Sequence, residues 1–258
     1  MTLPIAEEVF MQKIEDFFEQ YPKVAIAFSG GVDSAYLLYE ALRHAKEVVA
    51  YYVKAEFQPA FEYEDALRLA AELGAKVRVL HTEVLCDPKV RENPMNRCYY
   101  CKQRIFGLIS CSALEDGFEV LLDGTNASDE ASDRPGMKAL QEMKVLSPLR
   151  ECGLTKAEIR EQSKAAGLFT WDKPAYACLA TRIPYGEEIT KEKLEITEKA
   201  EEYLFSKGFT DFRVRSMQGH ARLQLKEEQW QMLLRERTEI LAELTKYYKS
   251  VSLDLEAR

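Results

Sequence analysis

Ser29, Gly30, Gly31, Val32, Asp33 and Ser34 stand in a row between an apolar run, Val24 to Phe28, and a helix-like run, Ala35 to Leu42, so this hexapeptide reads as a strand-to-helix turn. Two glycines let the backbone come close to a bound group and take up dihedral angles that other residues avoid. The helix start that follows offers unpaired N–H groups and a partial positive charge. Phosphate oxygens suit such a cradle, and the hydroxyls of Ser29 and Ser34 add donors. Asp33 brings a carboxylate to the same place, which is repulsive beside phosphates unless a divalent cation such as Mg2+ lies between them. No lysine follows the glycines as in G-x-x-x-x-G-K-S/T, so the P-loop of kinase-type NTPases is excluded.

A second constellation is made of sulfur. Cys98 and Cys101 form a C-x-x-C motif at the start of a helical run, and Cys178 sits far along the chain in Ala175-Tyr176-Ala177-Cys178-Leu179-Ala180, inside a Pro-bounded loop. A thiolate near a helix N-terminus has a lowered pKa, which favours metal ligation or nucleophilic attack. Besides a purely structural role, three chemistries stay open for this trio. Zinc normally needs four protein ligands, and a convincing fourth is missing. A thiol/disulfide relay needs only a mobile pair able to carry a persulfide. An iron–sulfur cluster held by three thiolates leaves one iron open to bind a sulfide. Cys86, Cys111 and Cys152 are isolated and read as small buried hydrophobes.

The elements that must position these groups alternate. Strand-like runs at Val24–Phe28, Glu47–Val53, Lys76–Val84 and Glu119–Asp123 are separated by helical patterns at Ala35–His44, Phe61–Leu73 and Cys101–Leu114, which predicts a doubly wound, mostly parallel α/β sheet. A further helix near Lys156–Ala166 is announced by a capping box, Thr155 with Glu158, and closed by Gly167. Ligands of such sheets bind beyond the carboxyl ends of the strands, where the Ser29 loop and the loops after Val53 and Asp123 converge. From Pro184 the pattern changes to a charged amphipathic helix, Thr190–Lys207, short strands Phe212–Met217 and Ala221–Leu225, a helix Glu228–Tyr247 and a last strand Ser250–Leu255. We therefore expect two domains, 1–183 for the nucleotide and a smaller α+β unit, 184–258, for substrate binding or oligomerisation. Ile196, Ala200, Tyr203 and Leu204 form an apolar stripe on the first of these helices, to be buried against the sheet or another subunit, and the amphipathic acidic helices make a homo-oligomer the expectation.

With 258 residues, 47% of them hydrophobic, the chain can bury one large core or a core plus a satellite. A net charge of −8 speaks against nucleic acid as a partner, because such binding needs clustered Lys and Arg to displace phosphate counterions. No apolar run approaches about 18 residues. The first twenty residues are acidic and amphipathic rather than a basic leader, so no membrane partner and a cytoplasmic location are expected.

The string from Ser29 to Ser34 resembles the SGGxDS signature of the ATP pyrophosphatase (PP-loop) superfamily. Several further strings occur in order: Asp123-Gly124-Thr125-Asn126-Ala127-Ser128-Asp129, Asp133-Arg134-Pro135-Gly136, Ser147-Pro148-Leu149, Trp171-Asp172-Lys173-Pro174, and Cys178-Leu179-Ala180-Thr181-Arg182-Ile183-Pro184-Tyr185-Gly186. Together with the first they resemble the LarE family over nearly the whole chain. The resemblance implies an ATP-dependent sulfur insertase acting on a small nucleotide, a pyridinium dicarboxylate mononucleotide, whose carboxylates become thiocarboxylates on the way to a nickel-pincer cofactor. It implies ATP and Mg2+ at Ser29, Gly30, Gly31, Asp33 and Ser34, with Asn126 and Asp129 as neighbouring contacts; Asp-Gly-Thr-Asn is equally a good turn. Cys98, Cys101 and Cys178 are similar to the three-cysteine form of the family, in which a 4Fe-4S cluster supplies the sulfide. In the other form the cysteine matching Cys178 is consumed and left as dehydroalanine. Arg182, Arg213, Arg215 and Glu201 match the positions that bind substrate phosphate, the rival reading being a solvated charged strand face. A tRNA thiolase of the same superfamily is the competing enzyme, and charge speaks against it.

Overall fold

The computed structural model describes residues 13–129, 135–256 and 258; Asp133 and Arg134 lie outside the described residues. The chain runs α1 (Ile14–Gln20), β1 (Lys23–Ala27), α2 (Val32–His44), β2 (Glu47–Lys54), α3 (Ala60–Glu72), β3 (Val77–His81), α4 (Pro88–Arg91), α5 (Arg97–Glu115), β4 (Leu121–Leu122), α6 (Pro135–Glu142), α7 (Pro148–Glu151) and α8 (Lys156–Ala165). It continues through α9 (Lys191–Ser206), β5 (Arg213–Met217), β6 (His220–Gln224), α10 (Trp230–Leu244) and β7 (Val251–Leu253).

Strands β3, β2, β1 and β4 lie side by side in that order and all pairs are parallel. Alternation along β1 assigns the faces. Val24 and Ile26 pack with α1, α2, α3 and α8 on one side, while Ala25 packs with α5 and α6 on the other. Helices thus cover both faces, as expected for a doubly wound sheet. Fully buried aliphatic residues such as Ile26, Leu37 and Leu38 each contribute roughly 1.5–3 kcal/mol by leaving water. The capping box forms as the sequence requires: Thr155 Oγ1 accepts from the Glu158 N–H at 3.3 Å, and Glu158 Oε2 accepts from the Thr155 N–H at 2.8 Å.

Three elements differ from their sequence pattern. The apolar run to Val84 stops pairing at His81, because Glu56 accepts the N–H groups of Val84 (2.9 Å) and Leu85 (3.3 Å) and bends the chain into a 3-10 turn, Val84–Cys86. The run Glu119–Asp123 pairs only at Leu121 and Leu122. Helix α5 begins at Arg97, which puts both Cys98 and Cys101 in its first two turns.

Strand β6 lies between β5, antiparallel to it, and β7, parallel to it, in a small mixed sheet. Ala200 and Leu204 of α9 and Leu233, Ile240 and Leu244 of α10 cover it together with Val214 and Leu223. A fourth cluster joins Phe57, Val84 and Val90 to Leu179, Ile183, Ile189 and Leu194, so the chain passes Pro184 inside a shared apolar core. Among the described residues no helix is long and apolar enough to cross a membrane.

Candidate active site

The Ser29 loop leaves the carboxyl end of β1 and enters α2. Gly30 has φ +74°, and a Cβ there would lie 2.7 Å from the Ala66 Cβ, so glycine is required both for its conformation and for the close approach of α3. Ser29 Oγ and Ser34 Oγ stand 3.0 Å apart, Ser34 Oγ donates to the Gly31 carbonyl at 3.2 Å, and the Gly31 N–H donates to Ser29 Oγ at 3.4 Å. The two hydroxyls therefore close the loop on itself. Gly124, just beyond β4, leans on the same turn: a Cβ on it would lie 2.8 Å from the Ser34 backbone nitrogen.

Asp33 Oδ2 accepts from Lys156 Nζ at 2.6 Å, while Oδ1 is buried and has no hydrogen-bond partner among the described residues. A buried carboxylate oxygen left without a donor is costly. Beside free helix N–H groups it fits a divalent cation carrying phosphate oxygens. Lys156 has no sequence signal beyond its place after the capping threonine. Asn126 and Asp129 are brought to the neighbouring loop, where Asp129 Oδ2 accepts from the Asn126 N–H at 3.1 Å and Asn126 Oδ1 accepts from the Ser128 N–H at 2.8 Å. Both side chains are engaged in closing that turn.

A cavity of about 630 Å3 connects these groups to the rest of the site; its walls include Ser29, Asp33 and Lys156, then Tyr176 and Cys178, then Arg213 and Arg258. Cys178 precedes a 3-10 turn, Leu179–Arg182, pinned where the Leu179 N–H donates to the Phe57 carbonyl at 3.0 Å. Cys98 and Cys101 approach from α5. Cys101 and Cys178 pack against the same apolar cluster, and Arg97 lies between Cys98 Sγ (3.8 Å) and the Ala180 carbonyl (2.9 Å), so the structure brings the three cysteines to one region.

The acidity of Cys101 and Cys178 corrects the expectation of lowered values. Burial pushes Cys101 up to about 12 and raises Cys178, and it outweighs both the helix terminus and the Arg97 guanidinium that opposes it. Among the described residues no three His, Cys, Asp or Glu side chains are grouped closely enough to hold one metal ion. Cysteine thiols beside a buried guanidinium are nevertheless the donor type that an anionic iron–sulfur group takes. The outlying cysteines are mixed: Cys152 is buried as expected, whereas Cys86 and Cys111 are exposed, because each falls on the outer side of a turn or helix and not on its packed face.

The arginines divide into two kinds. Arg182 is fully buried and bidentate on Glu201, Nε to Oε1 at 2.8 Å and Nη2 to Oε2 at 2.9 Å, and its Nη1 donates to the Ala177 carbonyl at 2.6 Å. Glu201 also accepts from the Val214 N–H at 2.9 Å and from the Tyr176 hydroxyl. This pair stitches the Cys178 loop to α9 and β5. Glu201→Ala would leave a guanidinium buried without its anion, so we expect a loss of about 3–5 kcal/mol of stability, read by urea denaturation; a loss within experimental error would remove this pair from any structural role. Arg213 and Arg215 share a face of β5. Arg213 donates to the Ala175 carbonyl at 2.5 Å, and burial together with the charges of Arg182 and Arg258 brings it down to about 10. Arg215 is lowered by the same causes. Such crowding of positive charge favours an anion. Arg258, which adds to it, carries no motif in the sequence.

No family model matches the chain. It is 38% identical over 255 residues to an uncharacterized protein of Synechocystis, spanning 95% of this chain and 93% of the relative. Over 207 residues it is 34% identical to the pyridinium-3,5-bisthiocarboxylic acid mononucleotide synthase of Lactiplantibacillus plantarum, spanning 80% of this chain and 75% of that enzyme. A shorter match, 29% over 143 residues, covers 46% of the chain and 40% of a tRNA-specific 2-thiouridylase of Thermotoga petrophila. With the loop geometry above, these similarities make the chain an ATP-dependent sulfurtransferase-type enzyme of the PP-loop superfamily. Within that superfamily it belongs to the LarE family, that of the Lactiplantibacillus synthase.

Proposed function

We propose that the enzyme adenylates a carboxylate of pyridinium-3,5-biscarboxylic acid mononucleotide, releases pyrophosphate, and replaces the activated oxygen by sulfur to give a thiocarboxylate for a nickel-pincer cofactor. The observation that carries this reading is the single cavity walled by Asp33, Cys178 and Arg213. A carboxylate resists exchange of oxygen for sulfur because oxide would have to leave. Attack of the carboxylate on the α-phosphate of ATP solves this, since AMP then leaves from the acyl carbon. Ser29, Gly30, Gly31 and Ser34 would hold the departing pyrophosphate by backbone N–H and hydroxyl groups, and Asp33 would hold Mg2+ against it. Asn126 and Asp129 shape the adjoining wall. Arg213, Arg215 and Arg258 would take the substrate's monophosphate, while Arg182 and Glu201 keep that surface and the Cys178 loop in register.

Cys98, Cys101 and Cys178 would hold a 4Fe-4S cluster, which when bound would present a sulfide taken up from solution and so permit repeated turnover as long as sulfide is supplied. A second reading is favoured by one observation: of the three thiols, only Cys178 is among the residues walling the cavity. There the Cys178 thiol itself attacks the acyl-adenylate, AMP leaves, and loss of the Cα proton breaks the Cβ–Sγ bond to give the thiocarboxylate and dehydroalanine. We assign residues 1–183 to nucleotide activation and 184–258 to substrate phosphate and subunit contact in a homo-oligomer. Exposed Leu234 and Leu241 on α10 give a second copy an apolar strip to cover.

Pyrophosphate release from ATP tests the proposal. We expect it to rise on addition of the pyridinium dicarboxylate mononucleotide and to stay at background with bulk tRNA at low salt. Stimulation by tRNA alone would replace this reading by RNA thiolation. After anaerobic reaction, intact-mass measurement separates the two sulfur sources: protein lighter by the mass of one hydrogen sulfide per product marks consumption of Cys178, and unchanged protein with several products per chain marks turnover.

A further inference from the structure

Arg97, the first residue of α5, directly precedes Cys98 and is only 2% exposed. Among the described residues no carboxylate pairs with it. Its Nη1 donates to Asn93 Oδ1 at 2.7 Å and to the Ala180 carbonyl at 2.9 Å, and Nη2 lies 3.8 Å from Cys98 Sγ. The contrast with Arg182 is direct, because that equally buried guanidinium is neutralised by Glu201. A buried cation served only by neutral acceptors keeps most of its desolvation cost, so a fold that retains one has a use for the charge. The charge faces sulfur, with Nη2 directed at Cys98 Sγ and Nη1 on the carbonyl of Ala180 two residues beyond Cys178.

Arg97 also fixes where the sulfur atoms are. Asn93, fully buried at φ +55°, donates to the Ile183 carbonyl at 3.2 Å and the Pro184 carbonyl at 2.7 Å. The Arg97–Asn93 pair therefore ties the helix bearing Cys98 and Cys101 to the loop bearing Cys178, through three backbone carbonyls of that loop.

We infer that Arg97 is a positioning residue and the built-in counter-charge for an anionic sulfur species held at Cys98, Cys101 and Cys178. This rests on the reading of the trio as the site that holds transferable sulfur. Thiolates together with sulfide, or with a terminal persulfide sulfur, put net negative charge where the guanidinium waits. Both sources share that chemistry.

Wild type, Arg97→Lys and Arg97→Gln are purified and loaded without oxygen in two arms, one with iron and sulfide and one with polysulfide, whose sulfane sulfur is already at the oxidation level of a persulfide. Iron with acid-labile sulfide identifies a cluster, and cyanide-labile sulfur without iron identifies a persulfide. In either case we expect Arg97→Gln to lose bound sulfur about ten- to a hundredfold faster under chelator or thiol challenge, as for other groups that support a ligand shell, with Arg97→Lys close to wild type. If iron is bound, the midpoint potential of Arg97→Gln moves negative and that of Arg97→Lys does not. Should the Gln variant fail to fold, Arg97→citrulline, which keeps the planar shape, the Nε–H and one terminal NH2 and exchanges the other nitrogen for a neutral carbonyl oxygen, makes the same comparison. Equal retention in wild type and the neutral variant overturns the proposal, and so does a Lys variant as impaired as the neutral one. A wild type that holds no such sulfur at all overturns the underlying reading first.

Discussion

If the proposed reaction holds, Cys178→Ala is expected to abolish thiocarboxylate formation, by at least roughly 10³-fold as when a covalent participant is removed, and to leave substrate-stimulated pyrophosphate release intact. The separation follows from geometry. The proposal gives activation to the Ser29 loop and Asp33, with Gly124 packed against them, on supports from β1, α2 and β4, whereas Cys178 enters the same cavity on a different segment held by Phe57 and Arg182. Removing one sulfur atom leaves those supports standing. Pyrophosphate release by a coupled assay, alongside mass spectrometry of the nucleotide product, reads both halves of the reaction. Full thiocarboxylate yield from the alanine variant would end the assignment of Cys178, and a parallel collapse of pyrophosphate release would show that sulfur and nucleotide sites are not separable.

The second large effect is expected away from any catalytic side chain. Gly124→Ala places a methyl 2.8 Å from the Ser34 backbone nitrogen and 3.1 Å from its Cα, and backbone in the first turn of a packed helix cannot swing aside like a lysine tip. The helix start must shift, and displacements of that size cost about 10²-fold when they move groups that orient a reacting centre. We expect pyrophosphate release to fall by that order, with about 1–3 kcal/mol of stability lost to overpacking. Gly31→Ala is the comparison: φ there is −79° and the nearest atom a Cβ would meet is Ser29 Oγ at 3.5 Å, so its melting temperature should stay near wild type. Equal behaviour of the two variants would contradict the role given to the Gly124 contact.

What the chain discloses before its structure is uneven, for physical reasons. The Ser29 loop is legible because strand, two glycines and helix start are contiguous, so local chemistry decides the conformation. The parallel sheet is legible because buried strands read as unbroken β-branched runs. Cys98, Cys101 and Cys178 stand out by residue type and by family resemblance, but the weakened acidity of Cys101 and Cys178 does not: desolvation depends on what packs around a thiol, and α5, Phe57 and the 178–183 loop are distant in sequence. Lys156, Arg97 and Arg258 are silent for the same reason. A single basic residue looks solvated until the fold shows Lys156 on Asp33 and Arg97 among thiols. The resemblance puts Arg182 and Glu201 at the substrate phosphate; the structure places them facing each other, a pairing that no spacing rule reveals for residues nineteen positions apart.

That pairing limits how the protein can be divided. A fragment ending at Ile183 would retain a guanidinium in oil and surrender the acid that neutralises it, along with Ile189 and Leu194 from the cluster around Phe57. A swap of the smaller sheet between relatives would therefore have to carry the matching arginine loop with it, and a graft that replaces that sheet would have to begin upstream of Cys178.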